Sequence, residues 1–185
     1  MRQRKAVAFI IVCVSLISMF ASNALAEAWK EYTFKDLGFS IASPAGWDVR
    51  ALREGAFMEM VTILLPKGSA RNGFRANMAI ISSSKEDSSM PLEHAYKMNL
   101  ENMSNSTEFP AFELINSYNI KLGKYDACQA TFKYKHPKLG MTLKSFQIYA
   151  VTEERIVIIQ YAAPSSTYKK YMDEVNEIVR TFKAI

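Results

Sequence analysis

The alternation of apolar and polar residues is clearest over residues 144–185. Residues 145–151 and 156–161 are apolar runs of strand length, rich in β-branched and aromatic side chains, and they predict a hairpin. Residues 162–166 break the pattern, and apolar residues then recur every three or four positions, which predicts a helix with one apolar face. The residues of that face are Tyr168, Tyr171, Met172, Val175, Ile178, Val179 and Phe182.

The preceding part of the chain predicts more strands and one more helix. Alternation on either side of the turn 36–38 predicts a small first hairpin. A helix is predicted from Pro91 to about Asn105, with apolar residues on one face. The other predicted strands are residues 57–65, 76–82, 112–122 and 125–136. Because most connections are too short for a parallel crossover, we expect an α+β domain built on a mainly antiparallel sheet.

Residues 1–26 have the pattern of a signal peptide. Three basic residues precede the apolar run 6–20, and the small-x-small sequence 24–26 is typical of a cleavage site. The run is shorter than the roughly 20 residues that a membrane span needs, so we expect cleavage after Ala26 rather than a retained anchor. Residues 27–185 would then form a single exported domain, periplasmic or secreted, without a transmembrane span.

Loss of this leader changes the charge and the cysteine content. It removes three basic residues and no acidic ones, so the net charge of +5 becomes +2. A chain with so little charge is not expected to bind nucleic acid. Cys128 would be the only cysteine left, which excludes an intramolecular disulfide. We interpret it as a small buried side chain, because no neighbour in the sequence suggests a lowered thiol pKa.

The sequence contains few candidates for catalysis or metal binding. His94 and His136 are its only histidines, and both are interpreted as solvated surface residues. Two histidines and one cysteine at scattered positions do not form a zinc site. The motifs of serine hydrolases, zinc proteases and P-loop proteins do not occur in the sequence. We therefore predict no catalytic residue, no metal ligand and no cofactor.

Several short motifs follow one another in a characteristic order. They are Gly-Phe-Ser-Ile at 38–41, Pro-Ala-Gly-Trp at 44–47, Pro-Leu-Glu at 91–93, Phe-Glu-Leu-Ile at 112–115, Leu-Gly-Lys at 122–124, Gln-Ile-Tyr at 147–149, Tyr-Ala-Ala at 161–163 and Ile-Val-Arg-Thr-Phe-Lys at 178–183. Together they resemble the PsbP-like and DcrB-like proteins, which share the fold of the Mog proteins, over nearly the whole mature chain.

This resemblance implies a three-layer α/β/α sandwich with a central, mainly antiparallel sheet. It also implies an exported bacterial accessory protein without enzymatic activity. PsbP docks on photosystem II and helps to retain its calcium and chloride. The residues that retain those ions cannot be matched to positions of this chain, so no photosynthetic role is predicted.

Six lysines fall within residues 121–144, a stretch whose only acid is Asp126. They are Lys121, Lys124, Lys133, Lys135, Lys138 and Lys144. Lys133 and Lys135 are two positions apart on a predicted strand, so they should share one face or edge. One interpretation is a solvated edge strand, where lysine prevents pairing with other strands. The other is a docking patch for an acidic protein partner or an anionic envelope surface.

Two functional hypotheses follow from these patterns. The first is a non-catalytic accessory protein that docks through the lysines, extended by the loop of Lys67, Arg71 and Arg75 if that loop lies on the same side. The alternative is a small-ligand or ion-binding protein. Its pocket would lie between sheet and helix and would be lined by residues such as Trp47 and Tyr149. Trp47 on its own is interpreted as a residue that fills the core.

Overall fold

The computed structural model describes residues 28–54, 58–85 and 91–185. The predicted signal peptide lies outside these ranges. The strands are β1 (Trp29–Phe34), β2 (Phe39–Pro44), β3 (Asp48–Glu54), β4 (Met58–Leu64), β5 (Asn77–Ser84), β6 (Glu113–Leu122), β7 (Tyr125–Lys135), β8 (Thr142–Val151), β9 (Arg155–Pro164) and β10 (Lys183–Ala184). The α-helices are α1 (Leu92–Asn105) and α2 (Met172–Arg180). Within the described ranges, no helix is long and apolar enough to cross a membrane.

Seven strands form the central sheet, in the order β3-β4-β5-β9-β8-β7-β6, and every neighbouring pair is antiparallel. A second, three-stranded sheet has the order β1-β2-β10. The small sheet and α2 lie together on one face of the central sheet, and α1 lies on the other. These layers confirm the predicted α+β sandwich with a mainly antiparallel sheet, and they add the small sheet to the layer that contains α2.

One face of the central sheet, here called the closed face, is covered by α2 and the small sheet. Alternate residues of β8 and β9 point to this face, and Phe146, Ile148, Ile159 and Tyr161 are at most 2% exposed. Ring stacking of Phe39 on Phe182, with centroids 5.6 Å apart, joins the small sheet to the segment after α2. Full burial of each such side chain contributes about 1.5–3 kcal/mol to stability.

The opposite face, here called the open face, is covered less completely. Helix α1 packs against β7 and β8, and Tyr96 and Met103 of the helix are buried there. The register continues this face across β9, β5 and β4, where Gln160, Ala79 and Thr62 lie side by side. These three residues are only partly buried. The apolar core is therefore thinner on this side of the sheet.

Two strands were not predicted from the sequence. Charged residues alternate along β3, and Asp48 forms an ion pair with Arg50 on the solvent side. As an edge strand, β3 needs only a short apolar row, so its sequence carries a weak strand pattern. Strand β10 has two residues, which is too short for any periodicity, and it is defined by its pairing with β2.

The ends of the C-terminal elements also differ from the prediction. Strand β9 continues through the expected break and ends at Pro164. The predicted helix starts with a 3-10 turn, Tyr168–Tyr171, before α2. Phe182 follows the end of α2 but is still buried, because the chain turns inward there to pair with β2.

Candidate functional site

The structure divides the six candidate lysines between two ends of the sheet. Lys121 and Lys124 flank the β6–β7 turn, and Lys121 lies opposite Asp126 in the register. Lys133 lies seven residues further along β7, about 23 Å away at the rise of an extended strand. A run that is continuous in sequence therefore forms two separate groups.

Acids from neighbouring strands neutralise the first group. The ammonium of Lys121 lies 2.8 Å from the Asp126 carboxylate, and that of Lys124 lies 2.9 Å from Glu153 in the β8–β9 turn. Hydrogen bonds from Tyr125 and Lys124 lower the pKa of Glu153 to about 2. Both lysines thus have an acid close by, at 2.8 and 2.9 Å, compared with 3.4 Å between Lys133 and Glu113.

The second group, Lys133, Lys135, Lys138 and Lys144, is here called the basic surface. Lys133 and Lys144 lie directly opposite each other in the β7–β8 register. Like charges in this arrangement destabilise a sheet. The Lys133 ammonium lies 3.4 Å from a Glu113 carboxylate oxygen, and that of Lys144 lies 4.8 Å from the Tyr168 ring centre. Within the described residues, Lys135 and Lys138 form no ion pair.

Two further lysines extend the basic surface. Lys169 and Lys170 follow Tyr168 in the 3-10 turn before α2, and both are exposed. Sequence analysis missed them because they lie 25 or more positions from the predicted group. The pairing of Lys144 with Ala163 and the contact between Lys144 and the Tyr168 ring show that the two segments are neighbours.

The loop that carries Lys67, Arg71 and Arg75 lies at the same end of the sheet. Phe74 in this loop packs edge-on against His136, with ring centres 5.5 Å apart. Lys67 and Arg71 are exposed. Arg75 instead donates hydrogen bonds to the carbonyl oxygens at the end of β4. Two of the three predicted cations are therefore available at this end.

Trp47 and Tyr149 do not share a pocket, because the central sheet separates them. Trp47 is 4% exposed on the closed face, with its ring edge-on to Tyr171 at 6.2 Å. Tyr149 is 6% exposed on the open face, with its ring centre 6.4 Å from that of Tyr96. Each fills the core of its own face, which agrees with the interpretation of Trp47 as a core residue.

Cys128 is buried, as predicted, and its thiol donates a hydrogen bond to the Asn119 side-chain oxygen at 3.4 Å. Burial raises the pKa of this thiol, which disfavours the reactive thiolate. His94 is exposed on α1 as predicted. His136 differs from the prediction, because it is partly buried and its Nδ1 accepts hydrogen bonds from the backbone N–H groups of Lys138 and Leu139.

A cavity of about 390 Å³, here called the end cavity, opens on the open face and is bordered by one member of the basic surface, Lys138. Its floor is formed by β5 and β9, and its walls come from the loops before β5, after α1 and after β7. The side chains that define its chemistry are Phe74, Phe109, Tyr134, His136, Lys138 and Gln160. Only Lys138 among them was a predicted site residue. Tyr134 and His136 lie within four positions of Lys138 in the sequence, and the other three come from distant segments.

Among the residues that the structure describes, no three His, Cys, Asp or Glu side chains come together to hold a metal ion. The polar groups of the end cavity are instead two amides, an imidazole, a hydroxyl, an ammonium group and the single carboxylate of Glu108. Such groups recognise a ligand through hydrogen bonds and charge.

Several solved structures share this fold. Cyanobacterial PsbP (CyanoP) from Synechocystis sp. PCC 6803 aligns with a TM-score of 0.61 and 11% identity over 88% of this chain and 96% of its own. LpqN, involved in cell envelope biogenesis of Mycobacterium tuberculosis, aligns with a TM-score of 0.59 and 16% identity over 87% of this chain and 86% of its own. PA94 from Pseudomonas aeruginosa, a protein of unknown function, aligns with a TM-score of 0.57 and 14% identity over 83% of this chain and 94% of its own.

These alignments confirm the PsbP-like fold that the sequence motifs predicted. At identities of 11–16% they show the fold alone. No protein-family model matches the sequence, and no curated protein matches it significantly. Any statement on function therefore depends on the surfaces and cavities of this chain.

Proposed function

We propose that this chain is a non-catalytic binding protein of the bacterial cell envelope, periplasmic or secreted, that docks on an acidic protein through the basic surface. The observation that carries this proposal is the direct opposition of Lys133 and Lys144 across β7 and β8. The arrangement costs stability, and the Lys133–Glu113 ion pair, whose side chains are 41% and 65% exposed, offsets only part of that cost. An acidic partner would place negative charge beside these lysines and so reduce their mutual repulsion.

The distribution of charge favours a protein partner over a lipid surface. Glu113 lies within the basic surface, with its carboxylate 3.4 Å from Lys133. An anionic membrane would repel this carboxylate, whereas a protein can place a cation opposite it. Complementary charges of this kind mainly increase the association rate and select the partner.

Export and an envelope role are supported by the leader pattern of residues 1–26. LpqN, which has the same fold, is described as involved in cell envelope biogenesis, and an envelope location agrees with that. The non-catalytic part of the proposal is supported by the environments of Cys128 and His94. The first has a raised thiol pKa, and the second lies on an exposed helix face.

The test is crosslinking in the native envelope followed by binding of the identified, purified partner. Wild type is compared with Lys133→Glu/Lys135→Glu, and the matched control is Lys121→Glu/Lys124→Glu. Both double variants change the net charge by the same amount, but at opposite ends of β7. We expect the first variant to lose the partner, the control to keep it, and added salt to weaken the wild-type complex.

Equal binding by both variants would overturn the proposal, since only the total charge would then matter. Failure of wild type to capture any specific protein would also overturn it. Vesicles that contain an anionic lipid provide a second arm. If wild type binds them and Lys133→Glu/Lys135→Glu does not, the basic surface recognises a membrane and the proposed protein partner is wrong.

A further inference from the structure

Three aromatic rings line the end cavity, those of Phe74 and Phe109 from two loops and that of Tyr134 from β7. The rings of Phe109 and Tyr134 meet edge-on with centroids 4.9 Å apart. Phe74 follows a tight turn whose residues Asn72 and Gly73 have φ of 48° and 83°, a geometry that asparagine and glycine favour. A planar ring can therefore enter between walls that are already in place.

The floor of the cavity presents an oriented amide donor. Asn99 of α1 donates a hydrogen bond to the Gln147 side-chain oxygen, and Gln147 in turn donates to the oxygen of Gln160 at 3.3 Å. The Gln160 oxygen is thereby occupied by a donor. Its amide NH₂ is left to face the cavity that Gln160 borders, so the fold determines which end of this amide a ligand meets.

Three more donors surround the same space. Backbone N–H groups occupy Nδ1 of His136, so the proton of its neutral ring belongs on Nε2. The Tyr134 side chain is 8% exposed, and among the described residues no group forms a hydrogen bond with its hydroxyl. Burial raises the pKa of Tyr134 to about 12, so this hydroxyl keeps its proton. Lys138 adds a positive charge at the rim.

We propose that the end cavity binds a small aromatic carboxylate. The ring lies among Phe74, Phe109 and Tyr134, and the carboxylate accepts hydrogen bonds from Gln160 and His136 beside the charge of Lys138. Charge-assisted hydrogen bonds of this kind are among the stronger ones in proteins. Glu108 also borders the cavity and repels negative charge, so a ligand with one carboxylate is favoured over a ligand with two. The cavity volume of about 390 Å³ is in the range of small-molecule sites.

This inference is independent of the docking proposal. Lys133 and Lys135, which the docking test reverses, do not border the end cavity. A purified monodisperse protein without any partner is sufficient for the ligand test. Either proposal can therefore fail while the other stands.

The probe is phenylacetate, added to the purified protein and followed by calorimetry and by backbone amide NMR shifts. We expect saturable binding, with shifts concentrated around Phe74, Tyr134 and Gln160. Phenylacetamide lacks the charge and acetate lacks the ring, so each should bind at least about tenfold more weakly, the factor that corresponds to one hydrogen bond to a charged group.

Two variants change the polar groups of the end cavity and leave its aromatic side chains unchanged. Lys138→Met should weaken phenylacetate binding about tenfold and leave phenylacetamide unchanged, whereas Lys121→Met at the far end should change neither. Gln160→Glu keeps an oxygen for Gln147 but replaces the donor with a negative charge, so it should abolish binding. The proposal is overturned if phenylacetate does not saturate, if the amide binds equally well, or if Lys121→Met and Lys138→Met have equal effects.

Discussion

The two faces of the central sheet differ in what covers them. On the closed face, α2 and the small sheet exclude solvent, and the core includes Phe146 and Tyr161 at 1% and 0% exposure. On the open face, α1 packs on β7 and β8, while Thr62 and Gln160 further across the sheet are only partly buried. On this face, hydrogen bonds link the polar side chains of Asn99, Gln147 and Gln160.

The two faces therefore contribute differently to stability and to ligand binding. An apolar core sealed on all sides contributes stability but offers no group to a ligand. A partly covered face contributes less to stability, and its polar groups have vacant hydrogen-bonding positions. The end cavity lies on the open face. The comparison can be tested by changes on each face and at the edge between them.

The largest effect is expected on the closed face, from Phe146→Ala. The substitution removes a ring that is 1% exposed and packs 5.8 Å from the Tyr161 ring, and it should lower the free energy of unfolding by about 3–5 kcal/mol. Leu100→Ala, on α1, removes a partly buried side chain and should cost less. Urea denaturation measures both, and equal losses would contradict the proposed difference between the faces.

An intermediate effect is expected from Asn99→Ala on the open face. The change leaves the oxygen of Gln147, a residue that is 4% exposed, without its donor, which should cost about 1–3 kcal/mol. Asn102→Ala is the control, because Asn102 is exposed on the same helix, and it should change stability by less than about 0.5 kcal/mol. If the two variants unfold at the same urea concentration, the hydrogen-bonded chain below α1 contributes nothing to stability.

The smallest effect is expected outside both faces, at Glu153 in the β8–β9 turn. Its folded-state pKa, about 2, lies below the ordinary value of 4.5, so its contribution is present above pH 4.5 and is lost as the pH falls towards 2. Solvent screens this exposed group, so the contribution is small. Wild type should melt slightly above Glu153→Gln at pH 6, and the difference should vanish near pH 2. A difference that persists at pH 2, or that Glu154→Gln reproduces, contradicts this assignment.

Local patterns were sufficient to predict most of the sheet. The hairpins β6–β7 and β8–β9 join adjacent apolar runs through short turns, so sequence neighbours are also partners in space. Helix α1 has a proline before its first residue and a regular apolar spacing, and both ends were predicted closely. Strand β3 has a charged, weakly alternating sequence, and β10 is too short to show a pattern, so pairing with a neighbour was the only evidence for them.

The sites depend on contacts that the sequence does not show. Glu153 is 29 positions from Lys124 and Glu113 is 20 from Lys133, so the charges that neutralise the lysines could not be seen in their own stretch. The face of the sheet on which Trp47 or Tyr149 lies depends on how the strands pair, and the neighbouring residues in the sequence do not determine that pairing. The cavity rings come from two loops and from β7, and only the packing of these segments brings them together.

The pairing of β2 with β10 and of β5 with β9 has a consequence for the order of folding. Strands β6 to β9 pair with their neighbours in sequence, so this half can form through short loop closures. Strand β5 pairs with β9, and the backbone N–H of Ala42 in β2 donates a hydrogen bond to the side-chain oxygen of Thr181, 139 positions away. During synthesis from the N-terminus, β2 and β5 therefore cannot complete their pairing until the C-terminal residues have been made. This delay slows folding and leaves the edges of these strands exposed for longer.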